Sequence, residues 1–415
     1  MTSQPAAALK PSVTSEIGTL REVILHRPDL ELRRLTPANK DMLLFDELVW
    51  VAKAQEEHDG FADLLRGEGV VVHLLHDLLT EALSDEGVRL ALIHEIVSMD
   101  TCGVELVDRV RGHLRDLPVE ELARHLIGGV TVQEVPGAGD GFVGGVLGPS
   151  AFLVPPLPNA VFTRDPSAWI GTGVVLSPMH MPARIAERHL WRTIYRHHPA
   201  FAGAEHGIHY GAADREYFPA TMEGGDILVL SADCVAVGLS ERTHPIAVEN
   251  MASQLFATGV AKWVLAVDLP KARETMHLDT IMTVVDRDAM VVWPRALRSL
   301  TAHRIEPGAG ADGGRMRVRE EPDLVRALAA GLGVDTLRVV TTGEDEVLAD
   351  REQWDDGNNT LAIAPGKVVA YERNPDTNRR LEDAGVQVLT IPSHELPRGR
   401  GGPRCMSCPV VRDPL

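Results

Sequence analysis

The chain has 415 residues, of which 44% are apolar, which is enough for one large fold or for two or three domains. Acidic residues outnumber basic ones by 59 to 41, so the formal net charge of -18 repels a nucleic-acid backbone and suits small cationic ligands better. Four cysteines are too few for a disulfide scaffold, no signal-peptide pattern is found, and the apolar runs are too short to cross a bilayer. We therefore expect a cytoplasmic protein with reduced thiols and with neither nucleic-acid nor membrane partners.

Short β-rich runs alternate with helical periodicity in a repeated order of strand, strand, helix and strand. The N-terminal stretch fits this order loosely, with strands predicted at 22–26 and 70–75 and a helix at 48–65 between them. Further hairpins are predicted at 162–176, 226–239, 280–293 and 360–371, and closing strands at 263–269, 336–341 and 386–391. Five modules of one type indicate radial repetition around an axis.

One segment carries helical periodicity without strand signals and interrupts this plan. It predicts a helical insertion domain at 77–145. An α/β catalytic domain is then formed by residues 1–76 and 146–415.

The insertion ends in a glycine-rich run that contains GxGxxG at Gly139, Gly141 and Gly144. A dinucleotide-binding site needs this pattern to open a helix, whereas several prolines follow it here. We therefore predict a flexible loop.

Cys405 lies near the C-terminal end in a run rich in glycine and arginine. The glycines allow the backbone to approach a ligand closely, and Arg400 and Arg404 bring positive charge towards a thiol whose reactive form is the anion. A thiolate nucleophile is the resulting prediction. The spacing of Cys405 and Cys408 leaves a redox pair or half of a zinc site as an alternative.

Polar groups lie at comparable places beside the predicted strands of different modules, in the runs 159–165, 223–226, 277–279 and 354–360. His277 and Asp279 are two residues apart on an extended chain and therefore project to the same side. In a radial array such strand edges converge on the axis. We expect these groups to share one site.

These residue types, without metal-ligand spacing, suit a reaction at the electrophilic carbon of a cationic group. A thiolate attacks the carbon, a histidine moves protons, and carboxylates hold the cation by charge-assisted hydrogen bonds. A planar guanidinium fits because its N–H fork matches carboxylates bidentately. We expect Asp165 and Asp279 to fix it with its carbon over Cys405.

In the order and spacing of its motifs the chain resembles the bacterial arginine deiminases of the guanidine-modifying pentein superfamily. The motifs are 18–28 (GTLREVILHRP), 162–166 (FTRDP), 223–226 (EGGD), 277–280 (HLDT), 358–360 (NNT) and Cys405. The resemblance implies an α/β fold, a five-bladed α/β propeller with a helical insertion, in agreement with the five predicted modules. It also implies hydrolysis of free L-arginine to L-citrulline and ammonium without metal or organic cofactor, as the first step of arginine degradation. We further expect a homo-oligomer.

The resemblance assigns roles to residues of this sequence. Cys405 would form a covalent amidino-thioether, and His277, with Glu223 as its acidic partner, would protonate the departing ammonia and then activate water. Asp165 and Asp279 would clamp the guanidinium. The implied substrate-binding residues are Asn159 and Phe162 at the pocket wall, Arg184 and Arg242 for the carboxylate, Asp226 in support, and Gly399 and Arg400 on a closing loop.

Three other functions remain open at this point. An amidinotransferase, or a deiminase of agmatine or methylated arginine, uses similar groups, although Arg184 and Arg242 favour a free amino acid. A non-catalytic propeller binding module is disfavoured by the complete set of reactive residues. A redox protein would depend on Cys408 as much as on Cys405.

The remaining histidines and cysteines receive structural predictions. Cys408 either packs behind the nucleophile or forms a reversible disulfide with it. Surface positions are predicted for His197, His198, His206 and His209, and buried positions for Cys102 and Cys234.

Overall fold

The computed structural model describes residues 9–202, 206–213, 215–308 and 316–415. The strands are β1 (Leu20–Leu25), β2 (Val71–Leu74), β3 (Val130–Thr131), β4 (Phe152–Val154), β5 (Ser167–Ile170), β6 (Gly173–Leu176), β7 (Ile208–Tyr210), β8 (Ile227–Ser231), β9 (Cys234–Leu239), β10 (Trp263–Asp268), β11 (Met282–Asp286), β12 (Ala289–Val292), β13 (Thr301–Glu306), β14 (Arg317–Glu321), β15 (Arg338–Thr341), β16 (Leu361–Ala364), β17 (Lys367–Tyr371), β18 (Gln387–Ile391) and β19 (Cys408–Arg412). The helices are α1 (Leu30–Arg33), α2 (Val51–Gly67), α3 (Leu75–Ala82), α4 (Glu86–Ile96), α5 (Met99–Cys102), α6 (Val107–Asp116), α7 (Val119–Gly128), α8 (Phe142–Leu147), α9 (Glu187–His197), α10 (Pro199–Ala202), α11 (Pro245–Ala257), α12 (Ala296–Ser299), α13 (Leu324–Leu332), α14 (Glu346–Trp354) and α15 (Pro375–Asp383).

Five sheets share one plan, in which an antiparallel hairpin is joined by a third strand parallel to the hairpin's second strand. Four of them are β5-β6-β7, β8-β9-β10, β11-β12-β15 and β16-β17-β18. In the remaining sheet, β1 pairs antiparallel with β19 and parallel with β2. The N-terminal module fits the sequence pattern loosely because its first strand comes from the opposite end of the chain.

The five sheets contact one another in a cycle. β19 lies against β5, and β16 lies against both β1 and β11. The third and fourth sheets meet through the 3-10 turns Gly224–Asp226 and Leu278–Thr280. The backbone N–H of Gly224 donates to the carbonyl of Asp165 at 2.8 Å and links the second sheet to the third. The radial repetition predicted from the module pattern is therefore present, and the segments that precede the hairpins meet.

Helices α3 to α8 lie between the first and second modules, where the periodicity predicts helices. Helices α3 and α4 pack against α9 of the second module. Leu79 and Ile93 from the insertion belong to the same buried apolar cluster as Trp169 and Leu190 from the module. Burial of this shared apolar surface fixes the helices against the sheets.

The hairpin predicted at 162–176 begins later than expected. Pro158–Val161 forms a 3-10 turn and β5 begins only at Ser167. The fixed φ of Pro158 suits the first turn of a helical segment, and this local preference overrides the β-rich composition.

The prediction of a flexible loop at the glycine-rich run is wrong. Helix α8 forms within it and packs on the 3-10 turn Ala138–Asp140. A Cβ at Gly144 would lie 1.9 Å from the carbonyl oxygen of Ala138. The glycine therefore permits close packing of two helical segments.

The third sheet is wider than predicted because β13 and β14 extend it beyond β10. Their sequences are TAHRIE and RVREE, and β14 is largely exposed. Charged residues on an edge strand prevent pairing with other chains. Because these strands are rich in charged residues, a search of the sequence for apolar runs does not predict them.

Two of the histidines predicted at the surface are buried. His198 bonds to Glu81, and the His209 ring lies 3.0 Å from the carbonyl oxygen of Ile170. Cys102 and Cys234 are buried, as predicted. Among the described residues, no helix is both long enough and apolar enough to cross a membrane.

Candidate active site

Four of the predicted reactive residues, together with Asn359, occupy equivalent places in the five sheets, shortly before the first strand of each sheet. Asp165 precedes β5, Glu223 precedes β8, Asp279 precedes β11, Asn359 precedes β16 and Cys405 precedes β19. All five are buried. The cyclic arrangement of the sheets therefore gathers residues from distant parts of the chain into one site.

His277 lies between two carboxylates. Its Nε2 is 2.8 Å from Glu223 Oε2, and its Nδ1 is 3.6 Å from Asp165 Oδ1. This approach requires a glycine at position 225, where a Cβ would lie 2.5 Å from His277 Nδ1. Burial alone lowers the pKa of His277, but Asp165 and Glu223 outweigh it and raise that pKa to about 9. His277 is therefore a cation at neutral pH that can protonate a leaving group.

Glu223 is the carboxylate partner of this histidine. Its Oε2 lies 3.5 Å from Arg242 Nη1 and 4.0 Å from Arg184 Nη1. Burial opposes ionisation, yet Arg242, His277 and Arg184 together hold the pKa of Glu223 well below its usual range. Glu223 thus remains ionised while His277 exchanges protons.

The thiol of Cys405 contacts Asn359 and Asp279. Asn359 Nδ2 lies 3.1 Å from Sγ, the backbone N–H of Cys405 donates to Asn359 Oδ1 at 2.9 Å, and Asp279 Oδ2 is 3.6 Å from Sγ. Burial raises the pKa of Cys405 well above its usual value, and Asp279 and Asp165 raise it further, while Arg404 lowers it. Arg404 thus acts in the predicted direction but does not outweigh burial and the carboxylates in this state. A bound cation would offset the carboxylates.

The two predicted clamp carboxylates are each held at one oxygen. Asp165 Oδ2 accepts from Arg184 Nη1 at 2.6 Å, and Asp279 Oδ2 accepts from Arg404 Nη1 at 2.7 Å. Oδ1 of each carboxylate is buried and has no hydrogen-bond partner among the described residues. A buried acceptor without a donor is costly, so a ligand with N–H donors on two sides fits this place. A guanidinium has such donors.

The two arginines predicted for a substrate carboxylate are buried in the same site. Arg184 follows β6 and donates to Glu187 through Nε and Nη2, both at 2.9 Å, in addition to its bond to Asp165. Arg242 follows β9 and pairs with Glu223 and Glu241. Both side chains are buried, so neither arginine is an ordinary solvated residue.

The predicted pocket residues lie on one side of Cys405. Asn159 donates to the carbonyl of Leu43 at 2.8 Å, and a Cβ at Gly399 would lie 2.8 Å from the Phe162 ring. Arg400 is held by Trp354. It donates to the carbonyl of Trp354 at 2.8 Å, and its guanidinium lies 3.4 Å from the centroid of the indole ring. Its φ of +67° is in the left-handed region.

Asp226 supports the site through the backbone. Its Oδ1 accepts from the N–H of Leu278 at 2.9 Å and its Oδ2 from Ser240 at 2.6 Å. Oδ1 therefore holds the turn between His277 and Asp279, and Oδ2 ties the carboxylate to the segment after β9.

Cys408 packs behind the nucleophile. Its Sγ lies 3.3 Å from the carbonyl oxygen of Ser167 and 3.9 Å from the hydroxyl of Tyr195, and all four cysteines are free thiols. The structure therefore agrees with the alternative in which Cys408 packs behind the nucleophile rather than forming a disulfide with it.

Several site residues were not predicted as such. Asn359 lies in a recognised motif and could have been found from it. Arg404 received only an electrostatic role, although it contacts Asp279 directly. Glu187 and Glu16 hold Arg184 and Arg404, and nothing in the sequence around Glu16 marks it.

Asp165, Glu223 and His277 place one ligand atom each within 4.8 Å of one another, which suits a cation. A metal requires a neutral imidazole, whereas both carboxylates favour the charged form of His277. The donor set therefore suits a proton relay better than a metal centre.

Comparison with known proteins agrees with this geometry. A family model described as arginine deiminase matches residues 41–412. The arginine deiminase of Rhodococcus jostii (strain RHA1) is 48% identical over 407 residues, covering 97% of each chain. That of Mycobacterium tuberculosis (strain ATCC 25177 / H37Ra) is 49% identical over 405 residues, covering 97% of this chain and 98% of its own.

The chain belongs to the arginine deiminase family. The predictions of a pentein-superfamily fold and of a hydrolase that acts on the guanidino C–N bond of arginine are thereby confirmed.

Solved structures show the same fold at low sequence identity. An amidinotransferase from Microseira wollei superposes with a TM-score of 0.56 at 15% identity and covers 98% of both chains. The N-terminal domain of a cyanobacterial arginine dihydrolase gives a TM-score of 0.53 at 12% identity, with 94% of this chain and 97% of its own covered. These likenesses concern the fold alone, whereas the sequence relatives define the family.

Proposed function

We propose that this chain hydrolyses free L-arginine to L-citrulline and ammonium, as the first step of arginine degradation, through a covalent intermediate on Cys405. One observation carries the proposal. The buried Oδ1 atoms of Asp165 and Asp279 have no hydrogen-bond partner among the described residues. Asp165 Oδ1 lies 3.6 Å from His277 Nδ1, and Asp279 contacts the thiol of Cys405 through its other oxygen, Oδ2. A guanidinium supplies both missing donors.

In the first step the guanidinium binds between Asp165 and Asp279. Its positive charge offsets the carboxylates that raise the pKa of Cys405, and the thiol loses its proton to water. The thiolate forms a bond to the guanidinium carbon. His277 then protonates the departing nitrogen, the C–N bond breaks, and ammonia leaves behind an amidino-thioether.

In the second step the now neutral His277 accepts a proton from water while the water oxygen bonds to the amidino carbon. The C–S bond then breaks as the C=O bond forms, and the thiolate of Cys405 is restored. The hydroxyl proton passes to water, L-citrulline is released, and the ammonia released in the first step takes up a proton to become ammonium. Glu223 stabilises the imidazolium whenever His277 holds the proton, because the two groups are 2.8 Å apart.

Arg184 and Arg242 are proposed to attract the carboxylate of the amino acid. Both are buried beside Glu223 and bring two positive charges to the pocket. Agmatine lacks the carboxylate, and hydrogen bonds to charged groups are worth about 1.5 to 3 kcal/mol. We therefore expect kcat/KM for agmatine to be lower by about a hundredfold.

The test is incubation of the purified chain with arginine, agmatine and dimethylarginine, with citrulline and ammonium as readouts. Cys405→Ser is expected to abolish citrulline formation while arginine still binds. Cys102→Ser is the matched control, because a serine there can donate to Ser98 as the thiol does. Full activity of Cys405→Ser would refute the proposed mechanism, and agmatine as the best substrate would refute the choice of substrate.

Three further parts of the proposal concern organisation. Residues 77–145 form the insertion domain and 1–76 with 146–415 the catalytic domain. The chain acts as a homo-oligomer in the cytoplasm. Asn159, Phe162, Gly399 and Arg400 line or close the substrate pocket.

A further inference from the structure

Arg404 is fixed between two carboxylates that are far apart in the sequence, those of Glu16 and Asp279. Its Nη1 donates to Asp279 Oδ2 at 2.7 Å, its Nε to Glu16 Oε2 at 3.1 Å, and its Nη2 to the carbonyl of Ile227 at 2.6 Å. The Arg404 and Asp279 side chains are at most 1% exposed and that of Glu16 is 7% exposed. Every nitrogen of this guanidinium therefore has a fixed acceptor.

Glu16 is itself held firmly. Its Oε1 accepts from the backbone N–H of Val229 in β8 at 3.0 Å, so both of its oxygens are occupied. Burial opposes the ionisation of Glu16, but Arg404 and Arg164 lower its pKa to about 2. Glu16 lies before the segment that the family model matches.

The same construction occurs on the other side of the site. Glu187, Arg184 and Asp165 form a Glu187 triad, as Glu16, Arg404 and Asp279 form a Glu16 triad. In each triad a buried glutamate holds an arginine, and the arginine holds Oδ2 of an aspartate. Oδ1 of that aspartate has no hydrogen-bond partner in the part of the chain that the structure describes.

We propose that Glu16 and Arg404 are positioning residues for deimination, which hold Asp279 so that Oδ1 meets the guanidinium and which set the charge that Cys405 experiences. The inference rests on the proposed function, because it takes Asp279 as a guanidinium clamp. A misplaced clamp lowers kcat, since catalysis depends on the geometry of the reacting groups. Binding is affected less, because Asp165 still holds the substrate.

The test measures kcat, KM and the pH midpoint of Cys405 alkylation by iodoacetamide in three variants. The charged groups around the thiol are Asp279, Asp165, Asp356 and Arg404. Glu16→Gln keeps an oxygen for Val229 but removes a negative charge beside Arg404. We expect kcat to fall about tenfold and the alkylation midpoint to move to lower pH.

Arg404→Lys separates charge from geometry. Lysine keeps the positive charge, but a single ammonium cannot match the planar fork that reaches Glu16, Asp279 and Ile227 together. We expect kcat to fall about a hundredfold while the alkylation midpoint stays near that of the wild type. Glu16→Asp, which keeps the charge, should retain the midpoint and most of kcat.

Arg21→Gln is the matched control, because Arg21 pairs with Asp413 at the exposed surface of the same two chain ends. It should change neither readout. Values of kcat within about twofold of the wild type for both Glu16→Gln and Arg404→Lys would overturn the proposal, as would equal midpoint shifts in these two variants. A wild-type chain that forms no citrulline would refute the proposed function instead, and the alkylation midpoints would still test the coupling of Glu16 to Cys405.

Discussion

The Glu16 triad and the Glu187 triad perform the same task with different chain connectivity. In the Glu187 triad the glutamate and the arginine are three residues apart, at the start of α9. In the Glu16 triad they are 388 residues apart, and the contact joins the N-terminal segment to the loop that carries the nucleophile. The local triad forms with its helix, whereas the distant one forms only when the first sheet closes around β19.

The charges of the two triads also differ. Burial raises the pKa of Glu187 to about 7, with Asp165 and Glu223 adding to it against the effect of Arg184. For Glu16 burial also opposes ionisation, but Arg404, Arg164 and Arg412 outweigh it and lower its pKa to about 2. The two triads thus have the same geometry, but the pKa of Glu187 is raised and that of Glu16 is lowered.

Of the substitutions that test this comparison of the triads, removal of the charge of either clamp aspartate should lower activity most. Asp165→Asn and Asp279→Asn each keep the side-chain shape but lose a charge that faces the substrate guanidinium. We expect kcat/KM for arginine to fall about a thousandfold in each, as when a group that stabilises a developing charge is removed. Citrulline formation at low substrate concentration is the measurement.

The two clamp variants should differ in their dependence on pH. Asp165 raises the pKa of His277, so Asp165→Asn should move the alkaline fall of kcat to lower pH. Asp279 contacts the thiol, so Asp279→Asn should make alkylation of Cys405 easier at neutral pH. Identical pH profiles in the two variants would show that the clamps do not act on separate partners.

A smaller effect is expected on stability. Glu16 has a lowered pKa, so its contribution is present above pH 4.5 and is lost as the pH falls towards 2. Glu187 has a raised pKa, so its contribution is present below pH 4.5 and is lost as the pH rises through 7. Each change amounts to about 3 kcal/mol, at 1.36 kcal/mol per unit of pKa.

Urea unfolding of Glu16→Gln and Glu187→Gln across this pH range measures both contributions. The deficit of Glu16→Gln should shrink in acid, and Glu187→Gln should gain on the wild type between pH 4.5 and 7. Parallel curves for the two variants would contradict the difference in charge between the triads.

The comparison also explains which parts of the site are predictable from sequence. Asp165, His277 and Cys405 lie beside strands in recognisable runs, and strand periodicity places them at one axis. Glu187 is three residues from Arg184, but only the structure shows that Arg184 holds Asp165. Glu16 carries no local pattern, because its role depends on how the N-terminal segment packs against β8.

The fold, too, is predictable where it depends on local patterns and not where it depends on distant parts of the chain. The third and fifth modules, in which hairpin, helix and closing strand follow one another, are predictable from periodicity alone, whereas the short closing strand β7 of the second module is not. The first module is not, because β19 supplies its missing strand from the far end of the chain. The hairpin of β13 and β14 is missed because its charged edge lacks an apolar run.

The most direct test of the proposed mechanism is mass spectrometry of the His277→Ala variant after brief incubation with arginine and acid quenching. The variant lacks the group that protonates the departing nitrogen and activates water, so citrulline formation should slow by up to about 10⁴-fold. Formation of the amidino-thioether slows, but its hydrolysis, left without a base to activate water, slows more, so the intermediate should accumulate. The predicted result is an adduct on Cys405 with the mass of arginine less ammonia. Undiminished citrulline formation by this variant, or an adduct on a residue other than Cys405, would contradict the mechanism.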